Sequence, residues 1–145
     1  MEEKMIAEAS ISINASRENV WKAITTPSLI KKYLMGTNVT SDWLQGSAIE
    51  YEGEYNGKTY RDKGVIQRIE PEQILQTTYW SSQGGKEDKP ENYNLVTYKL
   101  LQKDNKTVVK LTQDNVNSEN ERKHVTENWK AVLKKLKDVV EHHSN

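Results

Sequence analysis

The apolar residues of this chain alternate at first, then take helical spacing, alternate again, and end in a long helical stripe. Residues 4–14, KMIAEASISIN, alternate toward their end and place Ala9, Ile11 and Ile13 on one face. An apolar residue at every second position is typical of a strand with one buried face. The sequence therefore predicts a strand in this segment.

Two short helices are predicted next. Ser16 is a suitable N-cap for the segment RENVWKAI, and Pro27 is well tolerated at the first position of a second helix, which Gly36 ends. Their apolar sides are predicted to comprise, in order, Val20, Trp21 and Ile24, then Leu29, Ile30, Tyr33 and Leu34.

Strict alternation returns in residues 48–55, AIEYEGEY, which predicts an antiparallel strand with one face in water. The Asn56-Gly57 pair that follows favours a two-residue hairpin turn, because both central residues of such a turn adopt positive φ. A return strand is predicted over residues 58–69. The inner face of the first of these strands carries Ile49, Tyr51 and Tyr55, and its outer face Glu50, Glu52 and Glu54.

The hairpin also predicts where one carboxyl group lies. A two-residue turn pairs Tyr51 with Asp62 and Gly53 with Tyr60, and cross-strand partners point to the same face. Asp62 would then face inward, where an unpaired carboxylate costs several kcal/mol, so it should hydrogen-bond a tyrosine or a ligand. The alternative is a β-bulge near Gly64 that turns Asp62 outward.

Three more strands are predicted from the segments QILQTTYW, YNLVTYKLL and KTVVKLTQ, with a turn at Asp104-Asn105 between the last two. Residues 81–92, SSQGGKEDKPEN, are rich in Gly, Ser and charge, which predicts a mobile loop. These segments bring the predicted sheet to six or seven strands.

A single long helix closes the sequence. Ser118 and Glu121 form a Ser-x-x-Glu capping box at its start, and one apolar stripe follows for about 25 residues, or about 37 Å. This helix is the only long cover for the apolar face of the sheet, and a straight helix cannot contact a strongly curved sheet everywhere. We therefore expect an α+β fold, one domain over residues 1–145, with a pocket between sheet and helix. The stripe comprises Val125, Trp129, Val132, Leu133, Leu136, Val139 and Val140.

Composition excludes several classes of function. The 21 Lys and Arg balance the 21 Asp and Glu, so no basic surplus indicates nucleic acid. There is no cysteine, no signal-peptide pattern and no apolar run long enough for a membrane span, which makes the cytoplasm the expected location. Seven Tyr, four Trp and no Phe indicate either a wet or ligand-filled interior or tyrosines at the strand rims.

Catalytic and cofactor motifs are not found. His124, His142 and His143 lack metal-ligand spacing, and SSQGGK lies between strands rather than before a helix, so neither a metal nor a phosphate cofactor is predicted. Glu52 and Glu54 share a solvated face and do not make a general acid/base pair.

The order of several segments resembles a known family. INASRENVWKAITTPSLIKKYL, GVIQRIEPEQILQTTYW, TVVKLTQ and NWKAVLKKLK resemble the START-like (SRPBCC) superfamily, which includes the birch pollen allergen, and within it the group of activator of heat-shock protein 90 ATPase homologues. The resemblance implies a helix-grip fold. Two positions depart from the usual pattern, Asn128 where the family carries Gly and Gln113 where it often carries His, and both alter the expected pocket chemistry.

Alternation along the strands, together with the family pattern, predicts which residues face the pocket. Tyrosine and aliphatic side chains with a few polar groups are the usual mix of a small-molecule site. The predicted ligand-binding residues are Tyr51, Tyr55, Tyr60, Asp62, Tyr98, Gln113, Asn128, Trp129 and Val132.

The resemblance implies three kinds of function. The first is binding of an apolar, aromatic or lipid-like small molecule; apart from the resemblance, the exposed edge strands of the predicted sheet allow either a monomer or a homodimer. The second is stimulation of the heat-shock protein 90 ATPase, although the members that give the group its name carry an additional N-terminal domain and this sequence begins at the first strand. The third is a cyclase or dehydratase, for which only Asp62 or His124 is available as the acid or base.

Overall fold

The computed structural model describes residues 4–82 and 84–142, with the side chain of Tyr55 also outside the description. Seven antiparallel strands form one sheet in the order β1-β7-β6-β5-β4-β3-β2, with three helices. The strands are β1 (Met5–Ile13), β2 (Asn38–Ser41), β3 (Ala48–Tyr55), β4 (Lys58–Glu70), β5 (Ile74–Tyr79), β6 (Asn94–Lys103) and β7 (Lys106–Val116). The helices are α1 (Arg17–Thr25), α2 (Pro27–Tyr33) and α3 (Glu119–His142), and Pro90–Asn92 form one 3₁₀ turn. The α+β architecture with a long C-terminal helix confirms the predicted fold class.

The ends of the helices confirm the local predictions. Ser16 accepts a hydrogen bond from the backbone N of Asn19 at 3.2 Å, and Ser118 accepts one from the backbone N of Glu121 at 3.1 Å. The Glu121 carboxylate bonds the backbone N of Asn117 at 3.1 Å rather than that of Ser118. The capping box is therefore present with its second bond displaced by one residue.

One strand, β2, was not identified in the sequence. It has only four residues, and Val39 is the single buried one. The strand is therefore too short for an alternating pattern to be recognised in the sequence. The segment predicted as a mobile loop contains hydrogen bonds in its described part, and its mobility stays a prediction. The Trp80 indole and the Asn92 amide both donate to the carbonyl of Glu87, at 3.1 and 2.9 Å.

The hairpin between β3 and β4 has the predicted geometry. Asn56 and Gly57 both have positive φ, 53° and 79°, and Tyr51 pairs with Asp62. The pairing of β3 with β4 continues in register past Gly64, and the register shift of β4 lies between Ile66 and Arg68, against β5. The alternative of a bulge that turns Asp62 outward is therefore wrong.

The position of α3 leaves part of the inner face of the sheet uncovered. The helix packs mainly along β1, at the edge of the sheet, and less on β7. Among the described residues no helix packs closely over β3 to β5, whereas α1 packs on β6 and β7 and α2 packs on β2. Within the described residues, no helix is both long and apolar enough to cross a membrane.

Candidate functional site

A cavity of about 480 Å³ lies between the inner face of the sheet, the C-terminal end of α2 and the first half of α3. Eight of the nine predicted residues line it, and the side chain of the ninth, Tyr55, lies outside the described part of the structure. That the eight residues bind a ligand remains a prediction. They are Tyr51, Tyr60, Asp62, Tyr98, Gln113, Asn128, Trp129 and Val132.

Asp62 is the buried carboxyl group of the cavity wall. Its residue is only 7% exposed, and its Oδ2 accepts a hydrogen bond from the Tyr79 hydroxyl at 2.6 Å. Oδ1 accepts another from the backbone N of Ser82 at 3.1 Å. The sequence predicted a hydrogen bond from Asp62 to a tyrosine or a ligand, and the structure shows the bond to a tyrosine. A carboxylate has about four acceptor positions, so two bonds leave acceptor capacity on both oxygens.

Tyr51 and Tyr79 form the aromatic part of the same wall. Their rings meet edge to face, with centroids 5.6 Å apart. Burial raises the pKa of Tyr51 to about 12, against a smaller opposing effect of its hydrogen bond with Thr77. Burial, followed by the hydrogen bond to Asp62, also raises the pKa of Tyr79. Both side chains are therefore neutral phenols at physiological pH.

Trp129 of α3 and Gln113 of β7 form the opposite wall. The indole Nε1 donates a hydrogen bond to Oε1 of Gln113 at 2.7 Å, and the Trp129 ring meets Tyr98 edge to face at 6.2 Å. An indole N–H can only donate, so Gln113 must accept with its oxygen. Its NH₂ group remains as a donor at the cavity wall, where a histidine of the family pattern would present a ring nitrogen.

Tyr60 closes the cavity toward α2. A side chain at Gly53 would place its Cβ 2.4 Å from the Tyr60 hydroxyl, so the ring lies directly over the glycine of the neighbouring strand. The hydroxyl is 2.6 Å from Oγ1 of Thr37, within hydrogen-bonding distance. Met35, which is 71% exposed and has a φ of 51°, lies at the mouth together with the exposed Asn128.

Several cavity residues were not predicted from the sequence. Tyr79 could have been found, because alternation in QILQTTYW puts it on the same face as Leu75 and Thr77. Thr37 has no comparable signal, since it lies in the connection before β2. The missed lining residues are Leu34, Met35, Thr37, Glu54, Thr77, Tyr79, Ser81, Val96 and Val125.

Only one of the two residues predicted as a possible catalytic acid or base lies in the cavity. Asp62 lies in the cavity, but His124 is exposed on α3 and is not one of the lining residues. Across residues 4–82 and 84–142, no group of three or more His, Asp or Glu is arranged to hold a metal ion.

Comparison with known proteins identifies the family. Residues 14–141 match the family described as Activator of Hsp90 ATPase homolog 1-like protein. The chain belongs to this family. The resemblance inferred from the sequence is therefore confirmed. Among curated proteins, no sequence match is significant.

Three solved structures are similar to this chain over nearly its whole length. The protein is similar to ChR145 from Cytophaga hutchinsonii, with 45% identity, coverage of 99% of this chain and 98% of that one, and a TM-score of 0.86. The Aha1 dimer from Colwellia psychrerythraea is 22% identical over 97% of this chain and 99% of that one, with a TM-score of 0.76. The allergen Ara h 8.0201 is 13% identical over 95% and 98% of the two chains, with a TM-score of 0.74. The last two comparisons show the fold alone, and they support the helix-grip assignment.

Proposed function

We propose that this member of the Hsp90 ATPase activator homologue family binds a small molecule with an apolar or aromatic body in the cavity between the sheet and α3. The observation that carries the proposal is Asp62, which is almost fully buried at the cavity wall and accepts two hydrogen bonds from the described residues. A buried carboxylate with spare acceptor positions is costly unless something bonds to it. A polar group of the ligand is the partner we propose.

The dimensions and the lining of the cavity support the same function. A volume of about 480 Å³ is within the usual range of small-molecule sites, roughly 300–1,000 Å³. Most such sites combine apolar and aromatic walls with a few placed polar groups. Here Tyr98, Val96 and Val132 belong to the former, and Asp62 and Gln113 to the latter.

Native mass spectrometry of freshly purified protein tests this function. We expect a discrete extra mass that disappears on denaturation. The same measurement on Val132→Phe, which fills the cavity from α3, should show the apo mass. The matched control is Ala131→Phe, because Ala131 is exposed on the same helix and the substitution introduces the same side chain on the solvent side.

The result that contradicts the proposal is a ligand that stays bound in Val132→Phe as firmly as in the control. If the wild-type protein is purified without ligand, a small-molecule library is screened by the same method. Hits that bind both variants equally would place the binding site elsewhere.

Stimulation of a chaperone ATPase is the second candidate, and family membership is the observation that favours it. The test adds the purified protein to heat-shock protein 90 and measures ATP hydrolysis. An unchanged rate at a several-fold molar excess would exclude this role, and an increased rate would support it. Cavity ligands added to the assay would show whether the two functions are coupled.

A further inference from the structure

The charge of the cavity wall has a single sign. The acidic residues among those that line it are the buried Asp62 and the exposed Glu54, and alternation puts the Glu54 side chain on the outer face of β3. None of the described residues that line the cavity is Lys, Arg or His. Asp62 also takes part in none of the salt bridges that the described side chains form. Among the described residues, its negative charge therefore has no cationic partner.

The aromatic side chains of the cavity also favour a positively charged group. Five of the described aromatic side chains line the cavity, and the π-face of an aromatic ring carries a partial negative charge that attracts cations. The attraction strengthens when the cation is shielded from water, as it is inside a cavity. The five are Tyr51, Tyr60, Tyr79, Tyr98 and Trp129.

We infer, building on the proposed function, that the ligand is an organic cation: a protonated amine or a quaternary ammonium group attached to an apolar or aromatic body. The ammonium group lies beside Asp62 and against the rings of Tyr51 and Tyr79. The apolar body extends toward Tyr98 and Trp129, 6.2 Å apart on the opposite wall. The Gln113 amide donates to an acceptor on that body where one is present.

Anionic ligands and metal ions are less compatible with this cavity wall than an organic cation. A carboxylate or phosphate ligand would be placed beside the Asp62 charge with no basic side chain among the described lining residues to offset the repulsion. A metal ion requires several ligands, and the described part of the chain brings no three His, Asp or Glu side chains together. An ammonium ion needs only one carboxylate and the faces of aromatic rings.

Three phenyl compounds of similar size and different charge test the inference on the wild-type protein. They are benzyltrimethylammonium, its neutral carbon isostere neopentylbenzene, and the anion 3-phenylpropanoate. Each is titrated at about 0.15 M salt, which screens surface charges beyond about 8 Å. Binding is followed by backbone amide shifts in nuclear magnetic resonance spectra. We expect the cation to bind at least about tenfold tighter than the isostere, and the anion to bind most weakly.

Two isosteric substitutions, each of which removes one carboxylate charge, show whether Asp62 is responsible for the preference for a cation. Asp62→Asn should reduce the affinity for the cation to that for the neutral isostere and leave the isostere unchanged. Glu50→Gln is the control, because it removes the same charge from the exposed face of β3. The cation preference should survive in this variant. If Asp62→Asn does not fold, the three probes on the wild-type protein still decide the question.

Each contrary outcome has a distinct meaning. Equal or tighter binding of the isostere or the anion would overturn the inference and leave the proposed function standing. Equal loss of the cation preference in Glu50→Gln would overturn it as well, since overall charge would then be the cause. No shift at any cavity residue with all three probes would count against both the inference and the proposed function.

Discussion

The indole N–H of Trp129 donates a hydrogen bond to the side-chain oxygen of Gln113 at 2.7 Å, and this bond joins α3 to β7 across the cavity wall. It sets the orientation of the Gln113 amide and positions the Trp129 ring edge to face with Tyr98. A single polar contact thus organises the helix side of the site.

Replacing Gln113 by Leu should therefore destabilise the protein. The Trp129 indole loses its acceptor, and a partly buried N–H without a partner costs about 1–2 kcal/mol. The free energy of unfolding in urea measures the effect. Gln67→Leu is the control, since Gln67 is exposed on β4, and it should change stability by less than about 0.5 kcal/mol. Equal losses in the two variants would contradict the role given to the hydrogen bond.

Tyr79→Phe should also destabilise the folded state, because it removes the hydroxyl that donates to the buried Asp62. Hydrogen bonds to charged groups contribute about 1.5–3 kcal/mol, and we expect a loss in that range. Tyr93→Phe removes a similar bond to the exposed Asp88 and should cost clearly less. Urea unfolding at pH 7 of both variants makes the comparison. A larger loss in Tyr93→Phe would show that burial of Asp62 is not what matters.

Gly64→Ala should be strongly destabilising. A Cβ at this position would lie 1.7 Å from the backbone oxygen of Thr78, and a backbone atom cannot move aside as a side chain can. We expect a loss of about 3 kcal/mol or more, seen as a lower midpoint of thermal unfolding. In Gly84→Ala the new Cβ would be 3.5 Å from its nearest neighbour, an ordinary contact, so stability should stay nearly unchanged. Wild-type stability in Gly64→Ala would mean that β4 and β5 are further apart than described.

Stability should fall in alkaline solution as the buried tyrosines ionise. Tyr51 has a pKa of about 12 in the folded protein, against an ordinary value of 10.0, because burial disfavours the phenolate. The folded state therefore retains this proton where the unfolded state loses it. The stabilising effect is complete below pH 10 and is lost as the pH rises to about 12, at about 1.4 kcal/mol per pH unit.

Urea unfolding between pH 9 and 12, with tyrosinate absorbance recorded in parallel, checks this dependence. Tyr98 and Tyr79 add to the slope, because burial also raises the pKa of each. Tyr51→Phe should show a shallower fall than the wild type. Complete ionisation of all tyrosines near pH 10, with native circular dichroism, would contradict the prediction.

Much of the fold is determined by short stretches of the sequence. Alternation in AIEYEGEY and the Asn56-Gly57 turn are enough to pair Tyr51 with Asp62, because a two-residue turn leaves only one register and side chains alternate between faces. The caps at Ser16 and Ser118 are equally local, since each bonds a backbone N three residues ahead. These features do not depend on what packs above them.

The tertiary structure alone decided which polar groups meet in the cavity. Tyr79 bonds Asp62 because β4 and β5 are neighbours, and Gln113 bonds Trp129 because of where α3 lies on the sheet. Thr37 meets Tyr60 only because the segment after α2 returns beside the hairpin. Periodicity predicts the face on which a side chain lies but not its partner, since the partner depends on the order of strands and the position of the helix.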